Sequence, residues 1–287
     1  MVKSNTPVLE KGRWELLKNQ VYCCDCFAFF KNMADGSVDL VLTDPPYGIS
    51  YQNHFTKKQK KPITGDKALD FLVVAKECYR ILKENRHAYF FTRFDSYPLH
   101  YQYLAEAGFS IKNCLVIEKA NVGGIGDLKG SFANNSEWII FCQKGRRIFQ
   151  RTELMKNRYP PGTVFHRGRI PSREYKYRFN SCWFGEAYPK ATYNSAWLSK
   201  HHIHHPTVKN VECLSWLIQI STLPQELVFD PFMGSGSTAL AAEKTNRFYC
   251  GCEMEEDYCL LFQRRQQGGD TECRNMNTKP EIKQSAR

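Results

Sequence analysis

The sequence contains no run of 18 or more apolar residues, the length that a membrane-spanning helix needs. The first residues, Met1 to Thr6, also lack the apolar core of a secretory signal peptide. We therefore expect a cytoplasmic protein with no membrane partner, whose 12 cysteines are free thiols. Heptad repeats and internal repeats are absent as well, so nothing in the sequence indicates a coiled coil.

Paired metal-binding loops are also lacking. Cys23 and Cys26 form a Cys-x-x-Cys pair, and Cys250 and Cys252 lie downstream. Both groups fall at predicted strand ends rather than in the two knuckle loops of a structural zinc site. Residues 201–205 contain four histidines, which we interpret as a loop. The sequence therefore predicts no metal.

Acidic residues are scarce between Lys144 and Lys200, a stretch with thirteen Lys or Arg, three Glu and eleven aromatic residues. Most of the formal net charge of +11 thus lies here. Cations interleaved with aromatic rings suit contacts with phosphates and stacking on bases, whereas a solvated basic face is the alternative. The candidate contacts are Arg167, Arg169, Arg173, Lys176 and Arg178, with a second basic loop, which could equally face solvent, at Lys57, Lys58, Lys60 and Lys61.

Apolar residues alternate between strand-like and helix-like patterns along the chain. Helices are predicted at 68–82, 98–107 and 211–220, and strands at 38–42, 88–91, 113–118, 137–142, 227–230 and 248–252. This alternation predicts an α/β fold with a doubly wound, mostly parallel sheet. Ligands of such folds bind at the carboxyl ends of the strands.

The tetrapeptide Asp44-Pro45-Pro46-Tyr47 directly follows a predicted strand. The two prolines fix the backbone, so the Asp44 carboxylate and the Pro45 carbonyl could each accept one N–H of an exocyclic amine. Tyr47 could stack on the base that carries this amine. Such groups suit methyl transfer to a poorly nucleophilic nitrogen, although a plain strand-ending turn is the alternative reading.

A glycine-rich turn follows the predicted strand Leu227 to Asp230 and precedes a predicted helix. Its glycines allow close approach of a ligand, and Ser237 or Thr238 is predicted to cap the helix. Glu253 ends the next strand, 23 residues after Asp230, where an acid suits ribose hydroxyls. Because Ala239 stands at the third glycine position of a dinucleotide fingerprint, the turn alone is a weak signal.

Together, Asp-Pro-Pro-Tyr and Phe-x-Gly-x-Gly resemble the amino-methyltransferases of DNA that use S-adenosylmethionine (AdoMet), in their permuted beta group. The resemblance spans about residues 20 to 265 and implies a circularly permuted, Rossmann-like methyltransferase fold with an inserted target-recognition region. It divides the chain into a catalytic half (1–143), the insertion (144–204) and an AdoMet-binding half (205–265). Residues 266–287 are polar and lack apolar periodicity, so they are predicted to form a disordered tail. Asp44 in the first motif position implies adenine N6 as the acceptor.

The same resemblance implies the cofactor-binding residues. Cys24-Asp25-Cys26 stands where the family has Gly-Asp-Cys near the adenine, and Lys209, in a segment with Asn210 in place of the usual proline, would meet the carboxylate of AdoMet. The implied set is Asp25, Asp44, Lys209, Asp230, Phe232, Gly234, Ser235, Gly236, Ser237, Thr238 and Glu253.

As a member of this family, the protein would flip adenine out of double-stranded DNA and methylate it directly. A covalent cysteine intermediate is not expected, because no cysteine follows a proline. Cytosine N4 is the nearest alternative acceptor. RNA or protein-amide methylation and a catalytically inactive DNA-binding specificity module are the others. A homodimer and a cognate restriction endonuclease stay open as partners.

Overall fold

The computed structural model describes residues 2–3, 18–46, 69–120, 130, 132–150, 181–185, 188–201, 203 and 208–269. Within these residues there are nine strands: β1 (Val2–Lys3), β2 (Gln20–Cys23), β3 (Val38–Thr43), β4 (Leu82–Thr92), β5 (Ser110–Glu118), β6 (Ser136–Lys144), β7 (Cys182–Trp183), β8 (Leu227–Asp230) and β9 (Phe248–Glu253). They form one sheet in the order β1-β2-β9-β8-β3-β4-β6-β5-β7.

The sheet is mostly parallel, as the sequence predicts. In the sheet order from β1 through β2, β9, β8 and β3 to β4, every pair of neighbouring strands is parallel. β6 runs antiparallel to both β4 and β5. Every residue of the central strand β3 is buried, since a parallel sheet is covered on both faces. β3 and β8 are neighbours with Leu40 opposite Val228, so their carboxyl ends meet although they are far apart in the chain.

Helices cover both faces of the sheet, which confirms the doubly wound architecture. The described ones are α1 (Cys26–Phe30), α2 (Phe71–Ile81), α3 (Tyr97–Glu106), α4 (Ser195–Lys200), α5 (Val211–Ser221), α6 (Ser237–Lys244) and α7 (Glu256–Arg264). Phe29, Val74 and Leu104 pack α1 to α3 on one face. Leu217 and Phe262 belong to the core on the other face, with α5 to α7. None of the described helices is long and apolar enough to cross a membrane.

A buried acid holds the amino ends of the central strands together. Asp39 of β3 accepts hydrogen bonds from Lys83 at 2.8 Å, from Arg86 at 3.0 Å and from the backbone N–H of Leu227 at 3.0 Å. Burial opposes the charge on Asp39, but these donors outweigh it and lower its pKa. The contacts join β3, β4 and β8 and so fix the strands whose opposite ends carry both motifs.

Residues 265–269, directly after α7, are more ordered than the sequence predicts. Arg265–Gly269 forms a π-helical turn, and the Gln266 side chain donates a hydrogen bond to the Tyr249 hydroxyl at 2.8 Å. The first residues of the predicted disordered tail are therefore part of the folded structure. The sequence does not show this order because the contact that holds Gln266 is tertiary, with Tyr249 on β9. Residues 270–287 lie outside the described part of the chain. The described part of the chain contains eleven cysteines, and all of them are free thiols.

Candidate active site

Four acids from the predicted site lie along the carboxyl edge of the sheet. Asp25 follows β2, Glu253 ends β9, Asp230 ends β8 and Asp44 follows β3. These strands are consecutive in the sheet, so the order of the acids along the edge is Asp25, Glu253, Asp230 and Asp44. The fold thus brings the two sequence motifs to one place.

A buried hydrogen bond joins the two motifs directly. The Thr43 hydroxyl donates to Asp230 Oδ1 at 2.7 Å, across the β3–β8 contact. Asp230 also accepts from the backbone N–H of Phe232 at 3.0 Å and from the hydroxyl of Thr238. Burial nevertheless raises the pKa of Asp230 to about 6. These hydrogen bonds hold the Asp230 side chain in place at the start of the glycine turn.

The glycine turn is held in a conformation that only glycine suits. Gly236 has φ of +80°, and a Cβ there would lie 2.0 Å from Cδ2 of the buried Phe262 side chain. Gly236 is also the N-cap of α6, which has no side-chain capping bond. The prediction that Ser237 or Thr238 caps this helix is therefore wrong, because both residues lie inside its first turn and their hydroxyls bind other side chains.

Glu253 faces the same turn from the neighbouring strand. Its Oε2 accepts the backbone N–H of Gly234 at 2.8 Å, and its Oε1 accepts that of Glu255 at 2.8 Å. Burial raises the pKa of this carboxyl, and these backbone donors partly offset the effect. Beside it, a Cβ at Gly251 would lie 2.0 Å from the Asp230 carbonyl oxygen, so the strands bearing both acids pack with no space for a side chain.

Asp25 has a structural task in addition to its predicted one. Its Oδ1 accepts the backbone N–H groups of Phe27 at 2.9 Å and Ala28 at 3.1 Å, which caps the N-terminus of α1. The neighbouring Cys24 N–H donates to the Glu253 carbonyl at 2.9 Å. Asp25 is thus fixed next to Glu253, at the end of the acid row farthest from Asp44.

Lys209 lies at the opposite end of the row, buried beside Asp44. Its Nζ is 2.8 Å from Asp44 Oδ2 and 3.5 Å from Glu137 Oε2, and it lies 4.8 Å from the centre of the Phe91 ring. Burial disfavours the ammonium, but the charges of Asp44 and Glu137 outweigh that cost and raise the pKa of Lys209. Lys209 therefore stays charged in the site.

Two charged residues of this region do not stand out in the sequence. Arg265 is buried and donates through Nη1 to Ser235 O at 2.8 Å, Ser235 Oγ at 3.0 Å and Ser237 Oγ at 3.1 Å. Glu137 lies on β6 and contacts Lys209. The sequence offers one weak signal for Glu137, a carboxylate at the start of an apolar strand, and none for Arg265.

Several predicted residues lie outside the described part of the chain, and their roles stay predictions. They are Tyr47 of the first motif, the basic loop residues Lys57, Lys58, Lys60 and Lys61, and the insertion residues Arg167, Arg169, Arg173, Lys176 and Arg178. Among the residues that the structure does describe, no group of three His, Cys, Asp or Glu side chains is placed to hold a metal ion.

The described geometry suits a ligand that is polar at both ends. Asp25 and Glu253 offer carboxylates to hydroxyl or amino donors at one end, and the glycine turn between them and Asp44 has no side chain at Gly234 and Gly236. Lys209 offers a buried cation to an anionic group at the other end. The chemical groups of AdoMet, an adenosine and a methionine carboxylate, fit this donor set.

The chain is similar to DNA methylases of known sequence and structure. A family model of the N6/N4 methyltransferase group, described as DNA methylase, matches residues 38–264. The type II methyltransferase M1.MboII of Moraxella bovis is 27% identical over 257 residues, which cover 84% of this chain and 93% of that protein.

Solved structures with the same fold include the M1.HpyAVI–SAM complex, at 21% identity and a TM-score of 0.56. The match covers 86% of this chain and 98% of that one. The PvuII DNA methyltransferase, described as cytosine-N4-specific, has 18% identity and a TM-score of 0.61. Here 85% of each chain is covered.

Proposed function

The chain belongs to the DNA methylase family, and from this premise we propose that it transfers a methyl group from AdoMet to the N6 amine of adenine in double-stranded DNA. The observation that carries the proposal is the position of Asp44. It directly follows β3, one residue from the Thr43–Asp230 bond that joins the two motifs. An acceptor for the amine and a turn for the cofactor therefore share one sheet edge.

AdoMet supplies the activated methyl group when bound, as the SAM complex of M1.HpyAVI supports by analogy. In this chain, Glu253 and Asp25 would hold the adenosine, the turn from Gly234 to Gly236 would let it approach the backbone, and Lys209 would pair with the carboxylate. The glycine turn fits this role because Gly234 and Gly236 carry no side chain that would keep a ligand from the backbone. Lys209 suits the binding of a carboxylate because the neighbouring acids keep its buried ammonium charged.

Asp44 and the Pro45 carbonyl would each accept one N–H of the target amine. Two acceptors hold the lone pair of the amine toward the methyl group and orient a poor nucleophile. The carboxylate also favours the positive charge that develops on nitrogen. Tyr47 would stack on the flipped base. Extracting the base from the duplex costs a few kcal/mol, which contacts between the protein and DNA offset.

The basic insertion, residues 144–204, would supply those contacts. Its composition supports phosphate binding, as does that of the loop from Lys57 to Lys61. Membership of the permuted beta group is supported by the sheet, in which β8, late in the chain, lies between β9 and β3. Similarity to a type II methyltransferase supports a place beside a restriction endonuclease. The cytoplasmic location and a homodimer stay predictions from the sequence.

Cytosine N4 is the second candidate acceptor. The similar fold of the PvuII enzyme, described as cytosine-N4-specific, favours it. Both bases present an exocyclic amine that two acceptors can hold, and Asp44 suits either. We favour adenine because the first motif position holds an aspartate, the form that the family resemblance links to adenine N6.

The test is to incubate the protein with AdoMet and unmethylated genomic DNA, digest the DNA and identify the methylated nucleoside by mass spectrometry. We expect N6-methyldeoxyadenosine. N4-methyldeoxycytidine would replace adenine with the second candidate, and no product on DNA of varied sequence would favour an inactive DNA-binding module.

The Asp44→Ala variant tests the assigned role in the same assay. Without the carboxylate the amine loses one of its two acceptors, so we expect turnover to be abolished and DNA binding to be retained in a filter or polarisation assay. Asp35→Ala is the matched control, because Asp35 is exposed and pairs with Arg80 near the amino end of β3. Equal turnover by wild type and Asp44→Ala would exclude this role for Asp44.

A further inference from the structure

Four side chains of alternating charge form a row at the acceptor end of the site. Lys119 is 3.1 Å from Glu137, Glu137 is 3.5 Å from Lys209, and Lys209 is 2.8 Å from Asp44. The side chains of Glu137 and Lys209 are only 11% and 7% exposed. Because buried charges are costly unless paired, each member depends on its neighbours.

Binding of the target amine disturbs this balance at Asp44. A carboxylate that accepts an ammonium hydrogen bond at 2.8 Å is a weaker acceptor for a second donor, since its charge is already partly neutralised. For Asp44 to serve the amine, the contact with Lys209 must loosen. Lys209 would then be a buried cation that has lost its closer protein partner, a costly state that the cofactor carboxylate assigned to it above would only partly relieve.

Glu137 is placed to prevent that state. It lies on β6, whose start shares the carboxyl edge with the end of β4, and it reaches Lys209 from the side away from β3. Lys119 holds it there. Within the described residues, Glu137 and Asp44 are the two carboxylates that pair with Lys209.

Resting on the proposed function, we infer that Glu137 is a positioning residue for methyl transfer: it keeps Lys209 paired while Asp44 turns to the amine of the target base. The role acts through Lys209 and needs no contact between Glu137 and the substrate. This role predicts that the two measured quantities change differently. Removing the charge of Glu137 should lower the methylation rate but should not weaken the binding of an anionic cofactor group by Lys209.

The test compares Glu137→Gln with wild type by methylation rate at saturating AdoMet and by AdoMet dissociation constant. We expect the rate to fall about 10- to 100-fold, the usual worth of a charged hydrogen bond, and the dissociation constant to stay the same or decrease. Glu137→Asp should recover part of the rate. The matched control is Glu118→Gln on the neighbouring strand β5, where Glu118 pairs with Lys190 and not with Lys209.

A double-mutant cycle with Lys209→Met decides whether Glu137 acts through Lys209. At saturating AdoMet in that background, Glu137→Gln should cause no further loss of rate, because the positive charge that Glu137 compensates is absent. An equal loss of rate in both backgrounds, or a Glu137→Gln enzyme as fast as wild type, overturns the inference. A wild-type protein that binds AdoMet but methylates no DNA overturns the proposed function, and this role with it.

Discussion

Gly236 offers the sharpest test of how the glycine turn is built. Replacement by alanine would impose two separate costs. A left-handed φ of +80° disfavours any residue with a Cβ by about 1–2 kcal/mol. The added Cβ would also lie 2.0 Å from the buried Phe262 ring, and such overpacking typically costs about 1–3 kcal/mol.

The two costs together predict a loss of about 2–5 kcal/mol for Gly236→Ala, a large share of a typical stability of about 5–15 kcal/mol. Two other glycines allow the conformational cost and the packing cost to be measured separately. Gly185 has a φ of +85° with nothing within 4 Å of its added Cβ, so Gly185→Ala should carry only the conformational cost. At Gly251, where no left-handed φ is required, the Cβ would lie 2.0 Å from the Asp230 carbonyl, so Gly251→Ala should carry only the packing cost.

The measurement is urea unfolding followed by circular dichroism, combined with AdoMet binding by calorimetry. Gly236→Ala should lose more stability than Gly185→Ala and should bind AdoMet more weakly, because Phe262 and the turn cannot both keep their places. Gly185→Ala should bind AdoMet as wild type does. If Gly236→Ala is no less stable than Gly185→Ala, the tight contact with Phe262 does not shape the turn.

Two further predictions concern buried charges of the same region. Arg265→Met removes three hydrogen bonds to Ser235 and Ser237, which should cost about 1–3 kcal/mol of stability and weaken AdoMet binding, whereas the exposed neighbour Arg264→Met should change either property little. Equal effects of the two variants in thermal melts and calorimetry would exclude a role for Arg265 in holding the turn. Asp230 has a pKa of about 6 in the folded protein, above its usual value of about 3.9, so its contribution to stability is fully present below about pH 3.9 and is lost as the pH rises through about 6. Between about pH 4 and pH 7, the free energy of unfolding of Asp230→Asn, measured by urea titration, should therefore rise by about 3 kcal/mol relative to that of wild type. A difference in free energy of unfolding that does not change with pH would contradict the raised pKa.

Local sequence was enough to place the acids of the site. Asp44, Asp230 and Glu253 each follow or end an apolar run, and such runs form strands whatever they pair with. The alternation of these strands with helices determined an α/β fold, and parallel strands place their carboxyl ends on one edge. The glycines of the turn were readable as well, because their requirement is a property of the backbone itself.

Tertiary structure alone decided which charges meet. Glu137 and Lys209 are 72 residues apart, and Arg265 reaches Ser235 across 30 residues, so no periodic pattern links them. It also decided the start of α6, where hydroxyls suited to capping bind Arg265 and Asp230 instead. The physical reason is range. Helix and strand preferences act over a few neighbouring residues, whereas pairing of buried charges depends on which strands the fold places side by side.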